Sequence, residues 1–299
     1  MYTYEDFPEE KEMPEGMQTL QNSDEALEAF YHRDVEYVNY DGVKRVLQIL
    51  VPNKRENKNE GYPLILFVQG SAWRKQDIYK RLPQLGYVAR KGFTVALVQY
   101  RESEIAPFPA QVQDTKAAIR FLRKHAGQYR INPDQVFLWG DSSGGHTALL
   151  AGMTADSQNM QTEFYEGEKE KVNAIIDFYG VVDIRMPDGF PNTPNHQQAD
   201  SAEGMLMGGR NINEIPEEAK KSVPMEYIGP DTPPILIMHG TKDRTVSFKH
   251  SVKLYEALKK KGKVTEFYRI CGADHGSPAF YTDDTLDLMI SFIRKYIKK

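Results

Sequence analysis

The sequence contains a single cysteine, Cys271, so no disulfide framework holds it together. It shows no surplus of basic charge: 38 Lys and Arg stand against 42 Asp and Glu, a net charge of −4. That balance argues against a surface built to hold a phosphate backbone. Long apolar runs are missing too. The continuous ones, such as Leu64 to Val68, fall far short of the roughly 20 residues that a membrane-crossing helix needs. No His-x-x-x-His pair or cluster of carboxylates suggests a metal site. No internal repeat or low-complexity tract is visible. The first ten residues are acidic and have neither a basic nor an apolar stretch, so no secretory signal is expected and a cytoplasmic protein is. Aromatic residues, by contrast, are plentiful: 17 Tyr and 14 Phe beside 2 Trp in 299 residues. A solvated coil does not carry so much apolar surface. A chain of this length can bury roughly 75% of the surface that its unfolded form exposes.

Residues 1–34 read as a polar arm, with Ser23 or Asp24 capping a short helix that runs through His32. Two strands should follow, from Asp34 to Asn39 and from Val46 to Val51, because Asp41-Gly42 between alternating segments is a hairpin signal. From residue 63 onward, short apolar runs alternate with amphipathic segments. The runs begin at Pro63, Phe93, Val136, Ala174 and Ile235, and a more alternating sixth begins at Val264 and should lie near a sheet edge. Helical spacing appears from Gln111 to His125, from Ser247 to Lys261 and from Leu286 to Ile297. Strand–helix alternation of this kind implies right-handed crossovers and a mostly parallel central sheet with helices on both faces, an α/β architecture. Between residues 183 and 232 the alternation stops. So long an irregular stretch in a compact domain is expected to be a cap-like insertion that forms part of a pocket. Residues 35–299 then form one domain.

The chemistry is concentrated in Gly140-Asp-Ser-Ser-Gly-Gly-His146, between the strand Val136-Phe-Leu-Trp139 and a small apolar helix. Gly-x-Ser-x-Gly in a strand–turn–helix context places a serine on a sharp bend. Register selects Ser142, which has glycines two residues away on either side; Ser143 would have Asp141 there. A serine hydroxyl needs a base near neutral pH. His275 is the best of seven histidines, because its loop follows the last strand and opens at the carboxyl edge of the sheet, where ligands bind. Asp243, in the exit loop of the preceding strand, would orient it; Asp183 is the runner-up. His239, at the end of that strand, and His146 read as packing residues. Backbone donors for a tetrahedral intermediate should come from Ser143 and from Ser71 and Ala72 in the loop after the first parallel strand. Trp73, Phe190, Met205 and Met207 are candidate pocket walls.

Gln69-Gly-Ser-Ala-Trp73, the block from Phe108 to Asp114, the elbow at Ser142, the block from Pro233 to Asp243, and Ala273-Asp-His-Gly276 together resemble the α/β-hydrolase esterases of the hormone-sensitive-lipase and feruloyl-esterase-like type. The resemblance covers roughly residues 35–297. It implies the α/β-hydrolase fold and a serine carboxylesterase with a Ser142–His275–Asp243 triad, acting on a small-molecule ester without metal or cofactor. Acetyl or hydroxycinnamoyl esters of plant-derived sugars fit that type. An amidase, arylformamidase or peptidase-like hydrolase with the same triad is the alternative. A binding protein on a retired scaffold would have no need of all three residues. Where this family commonly has His-Gly-Gly-Gly-Trp, this sequence has Gln69-Gly-Ser-Ala-Trp73, which alters the shape near the acyl group.

Overall fold

A computed structural model describes residues 2–21, 28–53, 61–155, 157–158, 160–186 and 193–297. Eight strands form one sheet: β1 (Ala29–Tyr40), β2 (Val43–Pro52), β3 (Tyr62–Val68), β4 (Thr94–Val98), β5 (Ile131–Asp141), β6 (Ala174–Phe178), β7 (Ile235–Gly240) and β8 (Thr265–Ile270), in the order β1-β2-β4-β3-β5-β6-β7-β8. β1 and β2 are antiparallel and β2 meets β4 antiparallel; β4, β3 and β5 through β8 run parallel. The hairpin turns on Asp41 and Gly42, with φ 48° and 98°. Both are left-handed, as a two-residue turn matched to strand twist requires. The more alternating strand, β8, does form an edge.

Eight helices complete the described chain: α1 (Leu82–Arg90), α2 (Ala110–Lys124), α3 (Ser143–Met153), α4 (Thr193–His196), α5 (Ala202–Leu206), α6 (Pro216–Lys220), α7 (Phe248–Lys260) and α8 (Asp283–Arg294). Alternate side chains of the buried strands feed two cores. Leu64, Leu66 and Val68 of β3 pack with α2, α3 and α7 on one face, while Ile65 and Phe67 pack with α1 and α8 on the other. No helix among the described residues is long and apolar enough to cross a membrane.

One local expectation needs correction, and one helix carries no sequence signal. Residues 29–32, expected to be helical, pair with 49–52 as part of β1, because β2 offers an open edge that a lone arm helix lacks; residues 22–27 lie outside the described part. Helix α1 is not signalled by the apolar spacing, because Pro83 and Gly86 break its pattern. Its proline sits in the first turn, where no N–H is missed, and Leu85, Val88 and Ala89 are buried beneath it.

Between residues 183 and 231 there is no strand among the described residues, only α4 to α6 and two 3-10 turns, Ile212–Glu214 and Pro224–Tyr227. This excursion has a small core of its own, in which Leu206, Met207, Ile212, Ile215 and Ala219 close over Trp73 and Val246. It is therefore anchored to two loops at the carboxyl edge of the sheet.

Several buried groups are polar, Asp177 among them. Asp177 on β6 is fully buried, its Oδ1 accepts the Gly180 N–H at 3.0 Å, and its Oδ2 has no partner among the described residues. Burial pushes its pKa up to about 7. The folded chain therefore holds a proton that the unfolded chain releases near pH 4, and stability falls as pH rises from there to about 7, by about 1.4 kcal/mol per pH unit. Asp177→Asn should remove this slope and raise stability at pH 8 but not at pH 4. Urea unfolding at both pH values checks it; the same pH slope in both proteins would sink it.

Candidate active site

Strand β5 delivers the chain to a sharp turn at Ser142, whose φ of 52° and ψ of −126° lie outside the regions a serine normally occupies. The turn persists because its surroundings permit nothing else. The Ser142 N–H donates to the Phe178 carbonyl at 2.9 Å. A Cβ on Gly140 would come within 2.3 Å of the Gly144 carbonyl oxygen, and one on Gly144 within 1.9 Å of that of Val68. Only glycines let α3 start so close under β3 and β5, which is the physical basis of the register that selects Ser142.

The loops after β7 and β8 supply the rest. Ser142 Oγ lies 2.8 Å from His275 Nε2, and His275 Nδ1 lies 2.8 Å from Asp243 Oδ2. Asp243 is buried, which alone would raise its pKa, but hydrogen bonds from His239 and His275 hold it well below the usual carboxylate range. Its Oδ1 accepts the N–H groups of Thr245 and Val246, both at 2.8 Å. With the carboxylate ionised, His275 keeps its proton on Nδ1 and turns the bare Nε2 toward Ser142. The edge of Tyr179 packs against the imidazole at 4.8 Å between ring centres.

His239 is the residue that sequence reasoning undervalued. It is buried, but its Nε2 lies 3.1 Å from the same Asp243 oxygen and 3.0 Å from the Val246 carbonyl, while Nδ1 meets the Ser251 hydroxyl. The spacing of four residues from the acid, across one strand exit, was the available signal. Asp183, the runner-up acid, is instead held by Arg185 at 2.7 and 2.9 Å. Asp274 accepts from the His275 and Arg244 N–H groups, as a turn former does. His146 packs edge-on against Trp73 and donates to the Ser222 carbonyl; burial pushes its pKa down to about 4, so it stays neutral.

The loop after β3 lies directly over the elbow. A Cβ on Gly70 would sit 2.7 Å from that of Ser142, and the Gly70 N–H donates to Asp141 Oδ1 at 2.5 Å. Asp141 Oδ2 accepts the hydroxyls of Tyr281 and Tyr179. Ala72 and Trp73 are both left-handed, at φ 56° and 54°. The Ser71 N–H is already committed to Ser143 Oγ at 3.0 Å, which corrects its assignment as a free donor. The Ala72 N–H has no partner among the described residues, and the Ser143 N–H, opening α3, has none within its helix. Trp73 and Met207 are buried in the small core of the excursion, not on an open wall; Met205 keeps partial exposure and Phe190 lies outside the described residues.

Residues 47–258 match the family BD-FAE. The chain belongs to that family. The BD-FAE match takes in Ser142 and Asp243, while His275 lies beyond its end and is returned to them by β8. The chain is 26% identical over 216 residues to Esterase LipC of Mycobacterium tuberculosis, covering 72% of this chain and 53% of that protein. It thus spans about half the length of the curated relatives it matches. Among solved structures, a truncated carbohydrate esterase from gut microbiota superposes with a TM-score of 0.78 at 28% identity, covering 89% of this chain and 96% of that one. The butyrate-bound esterase 2 of Thermogutta terrifontis superposes at 0.70 with 26% identity, covering 89% and 94%. The α/β-hydrolase fold of this BD-FAE member is therefore shared along nearly its whole length with enzymes described as esterases.

Proposed function

We propose that this BD-FAE protein is a serine carboxylesterase. The observation that carries the reading is the unbroken line of hydrogen bonds from Ser142 through His275 to Asp243, each link 2.8 Å. In this reading Ser142 Oγ attacks the ester carbonyl while His275 Nε2 takes its proton. The carbonyl oxygen becomes an oxyanion facing the N–H groups of Ala72 and Ser143. His275 returns the proton to the departing alcohol as the carbon–oxygen bond breaks, leaving an acyl group on Ser142. Water, deprotonated by the same imidazole, then releases the acid. Asp243 stays ionised throughout and stabilises the imidazolium.

The substrates are small acyl or aryl esters. Support comes from the relatives named as esterases, and from the carbohydrate esterase for acyl groups carried on sugars. Residues 35–299 act as one domain, and the excursion at 183–232 is its cap, joined through Trp73 and Val246 to the donor loop and to the loop of the acid.

Covalent labelling tests the nucleophile. A fluorophosphonate should modify one serine, and peptide mapping should place the adduct on Ser142, not Ser143. Butyrate and acetate esters of p-nitrophenol should be turned over and the corresponding anilides far more slowly. An adduct at Ser143, or anilide turnover without ester turnover, would overturn the assignment.

A further inference from the structure

We propose that the hydroxyl of Ser143 is a positioning residue, a clamp that fixes the donor loop over the nucleophile and so sets the oxyanion site. The inference rests on the triad proposed above and adds a role for a side chain that the triad does not use. Ser143 Oγ accepts two backbone N–H groups, from Ser71 at 3.0 Å and from Trp73 at 3.1 Å. These flank Ala72, whose own N–H is left over among the described residues. Alternate N–H groups converging on one oxygen form a concavity of the kind that backbone makes around an anion. Here its occupant is a neutral hydroxyl belonging to the very residue whose backbone N–H is the second oxyanion donor.

The loop needs such a restraint. Ala72 and Trp73 are consecutive left-handed residues without being glycines, a conformation that persists only when its surroundings over-determine it. The surroundings are packed: Ser143 is buried, and the Tyr100 hydroxyl donates to the Gln69 carbonyl at 2.8 Å and lies 3.0 Å from Ser71 Oγ. Tyr100 is fully buried. Ser71 and Trp73 are thus tied to one point at the start of α3, one residue from the nucleophile, while Gln69 and Ser71 are tied to the Tyr100 hydroxyl. Ala72 and Trp73 keep by this route a loop shape that their side chains would otherwise resist.

Because the clamp acts on a donor to the transition state and not on the resting ester, it predicts a loss in kcat with little change in KM. Ser143→Ala keeps the backbone N–H and removes only the clamp. Its kcat on p-nitrophenyl acetate should fall roughly 10- to 100-fold, less than removal of a donor outright, with KM within about threefold. Ser143→Thr, which retains the oxygen, should recover most of the loss. Unchanged or faster turnover in Ser143→Ala overturns the clamp, since the hydroxyl would then be idle or would be withholding the Ser71 N–H from the oxyanion. A Ser143→Thr protein that folds normally but is as slow as Ser143→Ala overturns it too. Should Ser143→Ala not fold, Ser143→Cys decides: its thiol is only a weak acceptor, so a several-fold lower kcat at constant KM is expected, and an unchanged one rejects the clamp. Ser142→Ala assayed alongside separates the two readings, because turnover in that variant overturns the triad, whereas its inactivity beside an unaffected Ser143→Ala overturns the clamp alone.

Discussion

Ser142→Ala should lower kcat on p-nitrophenyl esters by about a millionfold and abolish fluorophosphonate labelling. The size follows from the geometry. Among the described residues, the Ser142 hydroxyl is the one that stands 2.8 Å from the bare nitrogen of His275. Its neighbour cannot substitute, because Ser143 Oγ is buried and occupied by two N–H groups of the donor loop. Without the nucleophile no acyl-enzyme forms, and the remaining rate comes from water that meets an ester held near the oxyanion donors. The fold should be indifferent to the change. The strained turn is imposed by Gly140, Gly144 and the bond to the Phe178 carbonyl, not by the hydroxyl. The melting temperature should therefore be preserved, and an alanine variant retaining more than about one per cent of the activity would remove Ser142 from its role.

Asp243→Asn should cost about 10⁴ in kcat with a preserved fold. The two oxygens of Asp243 are not equivalent. Oδ1 accepts from two backbone N–H groups, so the amide oxygen of an asparagine must take that place. The amide nitrogen then faces His275 and His239, where it can only donate. His275 would have to accept at Nδ1 and carry its proton on Nε2, pointing a donor at the hydroxyl it should deprotonate. Asp183 cannot take over, as Arg185 holds both its oxygens. Near-normal kcat in this variant, measured over a range of pH, would show that His275 does not depend on Asp243 for its tautomer.

Features that depend on short stretches of chain are legible in the amino-acid sequence. The alternation of apolar runs and amphipathic segments follows from burial on two sheet faces, and Asp41-Gly42 from the left-handed turn of a hairpin. The elbow is readable because glycines at 140 and 144 answer a local steric demand. Asp243 and His275 can be chosen because a parallel sheet brings strand exits to one edge, whatever their separation along the chain. Helix α1 is hidden by a proline and a glycine in its sequence. The strand start at Ala29 is hidden because an edge strand is defined by its neighbour.

By itself, then, the sequence determined the layered α/β architecture, the strained serine and the order of its partners, since each rests on local sterics or on periodicity. Tertiary structure alone decided which polar groups share an oxygen. His239 reaches Asp243 across a strand exit, Asp141 gathers Gly70 and two tyrosines, and Ser143 Oγ takes the N–H groups of Ser71 and Trp73. Those choices are settled by fractions of an ångström between segments up to 140 residues apart, because a hydrogen bond acts only at contact distance and direction. The spacing of residues along a chain carries no such information.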